Sequence, residues 1–442
     1  MPTTTSPPPQ RGQVATQPVV APAKARLGWL DALRGLAALT VMLSHFIQFM
    51  LPGVFTAVSG WFIPGSFGVL LFFMVSGYIV PASLERRGSV RTFWLSRLFR
   101  IYPMALFSIA LGLTFVGLGW QTRSLGAITP WLTLHPLTTA LANATLLQDL
   151  LGGANLLPVM WTLSYEMVFY CLVASLFTMG LHRRSGEIAA GFAALSLVFL
   201  MAVPPLCFAS SYQGAHTAVL ASVCVAVVGI YCMVSRRIPG LVGAVLIGGL
   251  ALVLVLADGR LAPWYSMVIL ATMFSGTALY RAEQGQAGRR RTAALCILVA
   301  AVSLAAGAFH GGDRGSPAQH SIGWPWLLTV AAVWVLFTSG MLLRNRRIPG
   351  ALAWLGRISY SVYMLHVVLL SAVLWLMEQL HVTVAALPLG AKLLWLLVPC
   401  GAVLGLSQLT YTFVEMPFQR LGRKAIRAAD LRWGSMDRAP RS

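Results

Sequence analysis

The sequence predicts an all-α, polytopic transmembrane bundle of about twelve helices (ten to twelve), with both ends in the cytoplasm. Three observations predict this fold class. Of the 442 residues, 57% are hydrophobic and only 10% are charged, and the mean hydropathy is +0.76, whereas soluble domains carry roughly 25% charged residues. The apolar residues form runs long enough to cross a bilayer. The basic residues collect at alternate ends of these runs.

Twelve apolar runs carry the helix count, because roughly 20 helical residues cross the hydrocarbon core of a bilayer. They lie near 30–50, 62–82, 101–119, 158–179, 188–205, 216–233, 240–257, 264–280, 293–308, 326–343, 357–377 and 393–414. Segment 120–157 is less apolar and contains Pro130, Pro136 and Asp149. We expect it to form a loop with a short, partly buried amphipathic piece.

The positions of the basic residues indicate a membrane, and not nucleic acid, as the partner. The net charge of +20 comes from 32 Lys and Arg against 12 Asp and Glu, which could suggest nucleic acid. With the N-terminus inside, 27 of the basic residues fall on the cytoplasmic side and 4 on the other, with Arg34 set aside as intramembrane. This bias follows the positive-inside rule. It supports the helix count and predicts a lipid bilayer, and no nucleic acid, as the partner.

Three segments follow from the composition. Residues 1–26 contain Pro, Thr and Gln and no apolar core, so we expect a disordered cytoplasmic tail and no cleavable signal peptide. Residues 27–418 should form the transmembrane domain, and 419–442 a basic cytoplasmic tail on the anionic inner leaflet. The cysteines show no spacing typical of a metal site, so we expect no metal.

The first helix carries ionisable residues, which are costly inside a bilayer and therefore suggest a function. Arg34 and His45 are eleven residues apart, which is about three helical turns, so they share a face with a rise of ~16 Å between them. Asp31 lies one turn before Arg34. A cation at the cytoplasmic mouth and an imidazole deeper in the membrane suit an anionic substrate. Alternatively, Arg34 reaches the lipid headgroups and His45 bonds a neighbouring helix.

Further polar residues lie on other predicted helices. Glu166 should lie ~12 Å below the outer edge of its helix, near the depth of His45, where a carboxylate could orient a histidine. A structural ion pair or a protonated, hydrogen-bonded carboxyl is the alternative. Ser359, Tyr363 and His366 share one stripe of the eleventh helix. His366 could bind substrate or simply bond across helices.

An arginine cluster opens the third helix. Arg97 and Arg100 are three residues apart and share a face, and Arg91 lies nearby. Such clusters bind phosphates. They are equally what the positive-inside rule requires, so the spacing alone leaves both interpretations open.

Six segments together resemble the acyltransferase-3 family of bacterial integral membrane O-acyltransferases. In order along 30–418 they read LDALRGLAALTVMLSHF, FGVLLFFMVSGYIV, RLFRIYPM, WTLSYEMVFY, LGRISYSVYMLH and VEMPF. The first is similar to that family's Arg/Lys–ten residues–His motif, met here by Arg34 and His45. The middle of the chain, 188–343, matches only as hydrophobic helices.

The chain also departs from the family pattern. An acidic residue often precedes the Phe pair of the second helix, where this chain has Leu70 and Leu71. The family usually has about ten helices, two fewer than the twelve runs. Some members carry a C-terminal hydrolase-like domain, which this chain is expected to lack.

The resemblance implies transfer of an acyl group, most simply acetyl, from cytoplasmic acyl-CoA to a hydroxyl of a glycan, glycolipid or glycosylated metabolite. It implies a multi-pass protein of the bacterial inner membrane, with acyl-CoA as co-substrate and no permanently bound cofactor. On this hypothesis Arg34, Arg97 and Arg100 hold the phosphates, and His45 is the general base. Glu166 orients His45 or the acceptor, and Asp31, Ser76, Tyr363 and His366 contact substrate or the oxyanion. A covalent acyl-His45 intermediate is the open variant.

A secondary transporter of an anionic or sugar-like solute is the alternative function. Twelve helices with both ends inside is a common transporter layout, and intramembrane Arg, His and Glu could relay protons. The two halves show no internal repeat, and the polar residues crowd into the first four and last two helices, which favours an enzyme. A scaffold without turnover is disfavoured by the costly charges aligned on one helix face.

Overall fold

The fold is described by a computed structural model that covers residues 28–120, 129–199, 208–235, 239–309 and 323–433. These ranges form helices joined by turns and contain no β-strand. The predicted disordered tail, residues 1–26, lies outside them, as do residues 434–442 at the other end.

Sixteen α-helices make up the described part of the chain. They are α1 (Gly28–Met50), α2 (Pro52–Ser59), α3 (Pro64–Arg87), α4 (Val90–Gly117), α5 (Thr129–Leu134), α6 (Pro136–Thr145), α7 (Trp161–Thr178), α8 (Ser185–Val198), α9 (Tyr212–Val234), α10 (Gly240–Val253), α11 (Pro263–Glu283), α12 (Arg289–Phe309), α13 (Trp324–Leu342), α14 (Gly350–Gln379), α15 (Leu389–Thr410) and α16 (Met416–Trp433).

Ten helical stretches among the described residues are long and apolar enough to cross a membrane. All twelve predicted apolar runs overlap helices, but α8 and α11 are not among the ten. The described part of α8 has only 14 residues, fewer than a crossing needs. α11 is enclosed by its neighbours along most of its length and carries a buried Arg281. The prediction of a multi-pass, all-α fold is confirmed. Among the described residues, ten of the twelve predicted membrane helices are long and apolar enough to cross a membrane.

α1 and α14 run side by side in the same direction. A Cβ added to Gly35 would lie 2.7 Å from the backbone nitrogen of Gly356. Farther along both helices, the ring centroids of His45 and His366 are 5.1 Å apart. Glycines let the backbones of membrane helices approach closely. This contact therefore places the two histidines at one level of the bundle.

α3 lies between α1 and α11 and runs antiparallel to α1. Gly65 packs near Ser44, and seven residues later Phe72 lies under the guanidinium of Arg34 at 5.5 Å. On the other side, a Cβ added to Gly77 would come within 1.9 Å of the Met273 carbonyl oxygen on α11. The position of α3 thus brings the face that carries Phe72 and Ser76 next to the polar residues of α1.

The segment before α7 is buried inside the bundle. After α6, residues 146–154 have little solvent exposure. Asp149 is 4% exposed, and its Oδ1 accepts a hydrogen bond of 2.8 Å from Asn155. Burial raises the pKa of the Asp149 carboxyl above its ordinary value. This loop packs against the start of α7, where the Gln148 side chain donates a 3.1 Å hydrogen bond to the Met160 carbonyl oxygen.

α16 continues from α15 through a π-helical turn, Tyr411–Glu415, and packs antiparallel on α4. Arg91 donates a 2.9 Å hydrogen bond to Asp430, and Gly422 lies against Phe99. The predicted basic tail, 419–442, is therefore helical as far as Trp433.

Candidate active site: two pockets along α1 and α14

The first pocket, called the arginine pocket here, contains the predicted cations. Arg34, Arg97 and Arg100 line it together. The other lining residues include Ser76, Glu166, Tyr170 and Tyr360. Its volume is only about 30 Å³, enough for little more than a water molecule. The structure brings the three predicted arginines to one place, in a space too small to enclose a nucleotide.

Arg97 is built into the wall of the arginine pocket. Its guanidinium lies 5.3 Å from the Phe93 ring centroid and 5.2 Å from that of Tyr170. It also donates a 2.5 Å hydrogen bond to the Ser83 hydroxyl. Aromatic faces stabilise a desolvated cation in this way. Arg97 is 6% exposed, so Arg34 and Arg100, which are less buried, are better placed to meet a ligand.

Glu166 lies in the arginine pocket and His45 borders the histidine cavity described below, so the structure does not bring these two predicted residues together. Its carboxylate accepts a short hydrogen bond from the Tyr170 hydroxyl and interacts electrostatically with Arg34 and Arg97. Trp161, the first residue of α7, lines a cavity together with His45. Glu166 follows Trp161 by five residues, a rise of ~7.5 Å along the helix.

Two further carboxylates face the same arginines. Asp31 is partly buried and interacts with Arg34 and Arg100. Glu415 is 5% exposed, accepts a 2.5 Å hydrogen bond from the Ser361 hydroxyl, and interacts with the same two arginines. Sequence reasoning missed Glu415, although it stands in the VEMPF segment and at the end of a π-helical turn, a feature frequent at functional sites. Three carboxyl groups, those of Asp31, Glu166 and Glu415, thus lie near the arginines of this pocket.

The second pocket, called the histidine cavity here, has a volume of about 290 Å³ and is bordered by His45. Hydroxyls and an amide line it, from Ser44, Gln48, Ser59 and Ser66, with aromatic rings from Phe55, Trp161, Tyr265 and Tyr363. No Lys, Arg, Asp or Glu occurs among its described lining residues. The cavity therefore suits an uncharged, hydroxyl-rich ligand that can stack on an aromatic ring.

The hydrogen bonds of His45 define which nitrogen can act as a base. Its Nδ1 lies 2.9 Å from the carbonyl oxygen of Val41. A carbonyl oxygen only accepts hydrogen bonds, so Nδ1 carries the proton of the neutral ring. The lone pair is then on Nε2, which is the nitrogen suited to take a proton from a bound hydroxyl.

Phe72 and Tyr363 separate the two pockets. Their rings are stacked, with centroids 6.2 Å apart and an angle of 16°. Phe72 borders the arginine pocket and Tyr363 borders the histidine cavity. The Tyr363 hydroxyl lies 2.9 Å from the Thr162 hydroxyl. The stacked rings thus stand between the arginine pocket and the histidine cavity.

The remaining predicted residues divide between the pockets. Ser76 lines the arginine pocket and so does not share the histidine cavity, where an oxyanion would form at His45. The structure therefore does not bring Ser76 together with His45. Tyr363 does line the cavity. His366 is fully buried behind His45, so it contacts the histidine and not the open space.

Among the described residues, no group of three His, Cys, Asp or Glu side chains lies close enough to hold a metal ion. A larger cavity of about 620 Å³ lies between α9 and α10. Apart from Asp258 it is lined by apolar and uncharged polar residues, and none of the predicted site residues borders it. The chemistry-bearing residues therefore lie in the smaller pockets.

Comparison with known proteins provides evidence on the family of this chain that does not depend on the structure. The model of a family described as "Acyltransferase domain" matches residues 27–407. The acyltransferase MdmB of Streptomyces mycarofaciens is 32% identical over 153 residues, which cover 34% of this chain and 38% of that protein. Nodulation protein 10 of Rhizobium leguminosarum bv. viciae is 29% identical over 180 residues, 37% of this chain and 48% of that protein.

These matches have a limited extent. The chain spans less than half the length of each of these two relatives. No solved structure matches the chain significantly. The family match covers both pockets, apart from Glu415.

Proposed function

Because the chain belongs to the acyltransferase-3 family, we propose that it is a membrane O-acyltransferase of the bacterial inner membrane. It moves an acyl group, acetyl in the simplest case, from cytoplasmic acyl-CoA to a hydroxyl of a glycan, glycolipid or glycosylated metabolite. The observation that carries the proposal is the histidine cavity. There, an imidazole with a free Nε2 borders a space of about 290 Å³ lined by hydroxyl, amide and aromatic groups.

The donor is proposed to bind from the cytoplasmic side. The arginine pocket is too small for the nucleotide, so the phosphates of coenzyme A bind at its mouth, where Arg34 and Arg100 supply the charge. The acyl end then extends along α1 toward His45, a rise of ~16 Å. Displacement of Phe72 from Tyr363 opens the way between the two pockets.

The acceptor is proposed to place one sugar unit in the histidine cavity. The Trp161 ring offers a flat apolar face, and Gln48 and Ser66 offer hydrogen-bonding groups. Because the described lining carries no charged side chain other than His45 when protonated, a neutral sugar fits better than a phosphorylated one.

The reaction is proposed to be direct transfer. His45 Nε2 takes the hydroxyl proton as the acceptor oxygen attacks the thioester carbon. The Tyr363 hydroxyl, at the cavity wall, lies within hydrogen-bond distance of the Val159 carbonyl oxygen and the Thr162 hydroxyl. It turns from these partners to donate a hydrogen bond to the oxyanion that develops. The carbon–sulfur bond then breaks, and His45 returns its proton to the departing sulfur of coenzyme A. One ester forms and one free thiol is released.

Purified protein in detergent with radiolabelled acetyl-CoA and a panel of neutral glycosides tests this proposal. We expect label to move to a glycoside and free thiol to appear in equal amount. Transport needs two sealed compartments and acyl transfer does not. Uptake of glycoside by sealed vesicles, without transfer in detergent, would instead identify the transporter.

A further inference from the structure

His366 is the nearest histidine to the proposed base. It lies on α14, and its ring centroid is 5.1 Å from that of His45 on α1, with an angle of 49° between the rings. His366 is 0% exposed, whereas His45 is partly buried and borders the histidine cavity. A substrate in that cavity therefore touches His45 and Tyr363, and the rings of both residues pack against His366.

The hydrogen bonds of His366 leave one nitrogen free. Its Nδ1 lies 3.1 Å from the carbonyl oxygen of Val362, so Nδ1 carries the proton of the neutral ring, as in His45. Its Nε2 is then a bare lone pair. This atom is buried and has no hydrogen-bond partner among the described residues. Both histidines thus hold an unprotonated Nε2 within one small region.

Packing alone does not account for this arrangement. A buried nitrogen without a partner costs free energy that a phenylalanine or leucine at the same position would avoid. Carboxylates are also distant. Glu166 lies in the arginine pocket, and among the described residues the charge that acts on His366 is that of His45. If His45 gains a proton, the bare Nε2 of His366 belongs to a ring packed against it, at 5.1 Å between the ring centroids, and can accept a hydrogen bond.

We propose that His366 is a positioning residue that shares the proton of His45 during acyl transfer. This inference rests on the proposed function. The acceptor O–H bond breaks and an N–H bond forms on His45 Nε2. A small rotation of the rings then lets this N–H donate to His366 Nε2, so that one proton is held between two imidazoles.

The shared proton has a consequence for the direction of the reaction. While it is held between the rings, it is not returned to the acceptor oxygen, and the tetrahedral intermediate can expel the sulfur. The proton then passes from His45 to that sulfur, which leaves both histidines neutral. Two protonated imidazoles at this distance would repel each other, so the pair carries one proton at a time.

The variant His366→Phe tests the proposal, because it keeps a ring in place and removes the lone pair. We expect kcat to fall roughly ten- to a hundredfold, the lower part of the range for general acid–base groups, with KM for acetyl-CoA and glycoside within about twofold. The control is His182→Phe. His182 also has a buried nitrogen without a partner, and its ring packs against Phe177 at 5.2 Å, but it lies in the loop after α7.

Rescue of a second variant separates the lone pair from the ring volume. In His366→Ala, added imidazole should restore part of kcat, whereas pyrrole, a ring of similar size without a basic nitrogen, should not. A His366→Phe protein that keeps the kcat of the wild type would overturn the inference. So would a loss of activity that follows the melting temperature or appears only in KM. Absence of acyl transfer by the wild-type protein would contradict the proposed function instead.

Discussion

At the scale of single residues, the nitrogen atoms of His45 matter more than its position in the sequence. The hydrogen bond to the Val41 carbonyl oxygen fixes the proton of the neutral ring on Nδ1, so the lone pair on Nε2 is available to accept a proton. The spacing of Arg34 and His45 in the first helix predicted that both belong to the site, and both side chains border pockets of the structure. The hydrogen bond that selects the nitrogen could not be predicted as a functional feature, because it depends on the side-chain rotamer.

Glu166 gives the first prediction at this scale. Since it lies with Arg34 and Arg97 and not with His45, Glu166→Gln should lower kcat less than tenfold. The variant should also lower the melting temperature, because removal of one partner from a buried charge cluster costs about 3–5 kcal/mol. Steady-state kinetics and thermal unfolding in the same detergent measure both effects. A fall in kcat as large as that of a His45 variant would show that Glu166 serves the base after all.

At the scale of helices, the sequence predicts where most of the helices lie along the chain, but it does not predict which helices pack against each other. Hydropathy located the long apolar helices among the described residues, since the bilayer requires about 20 apolar residues, but not α16, which is basic. It gave no information on which helices touch. The contact of α1 with α14, which pairs His45 with His366, comes from close glycine packing between helices more than 300 residues apart. The separation of Glu166 from His45 has the same origin, because it depends on how α7 and the buried loop 146–154 pack against the other helices.

The glycine contact between α3 and α11 leads to a prediction for stability. A Cβ at Gly77 would overlap the Met273 carbonyl group, so Gly77→Ala must push the helices apart. Overpacking of this kind costs about 1–3 kcal/mol. Thermal unfolding in detergent should show a lower melting temperature. Gly249→Ala on α10 is the matched control, because nothing lies within 4 Å of its added Cβ. Equal melting temperatures for the two variants would contradict the packing described here.

α16 presents a basic stripe on the face that α4 leaves free. Arg420, Arg423, Lys424 and Arg427 are all exposed and recur at i, i+3, i+4 and i+7, so they share one side of the helix. Exposed Leu421 lies on the flank between this stripe and the buried face. This arrangement is typical of a helix at the surface of an anionic membrane.

The stripe leads to a prediction on lipid binding. Anionic lipid added to the purified protein should raise its melting temperature, and Arg423→Gln/Arg427→Gln should lose much of that increase, because each surface cation contributes about 1 kcal/mol of attraction. The charge-preserving variant Arg423→Lys/Arg427→Lys should keep it. An equal increase for the glutamine variant and the wild type would exclude the stripe as a lipid contact.

At the scale of the whole molecule, the alternation of charge predicts its orientation. The helices pack with the directions that alternation requires: α1 is antiparallel to α3 and parallel to α14. The residues before α12 and those before α15 should therefore lie on opposite sides of the membrane. The positive-inside rule assigns the first of these to the cytoplasm.

Cysteine labelling checks this orientation. In a protein whose own cysteines are replaced by serine, Gly288→Cys should react with an impermeant thiol reagent only after the membrane is opened. Gly390→Cys should react in intact cells. Both positions are exposed glycines at the start of a helix, so access is matched. The reverse pattern would invert the topology and place the arginine pocket on the outer side.

Acyl transfer by His45→Ala, measured beside the wild type in detergent, tests the catalytic role of this imidazole most directly. Both proteins should melt at the same temperature and bind acetyl-CoA alike, since His45 borders a cavity and is not part of the arginine pocket. The wild type should acylate the glycoside, and the variant should give no product above background. Product formation by the variant at the wild-type rate would contradict the mechanism.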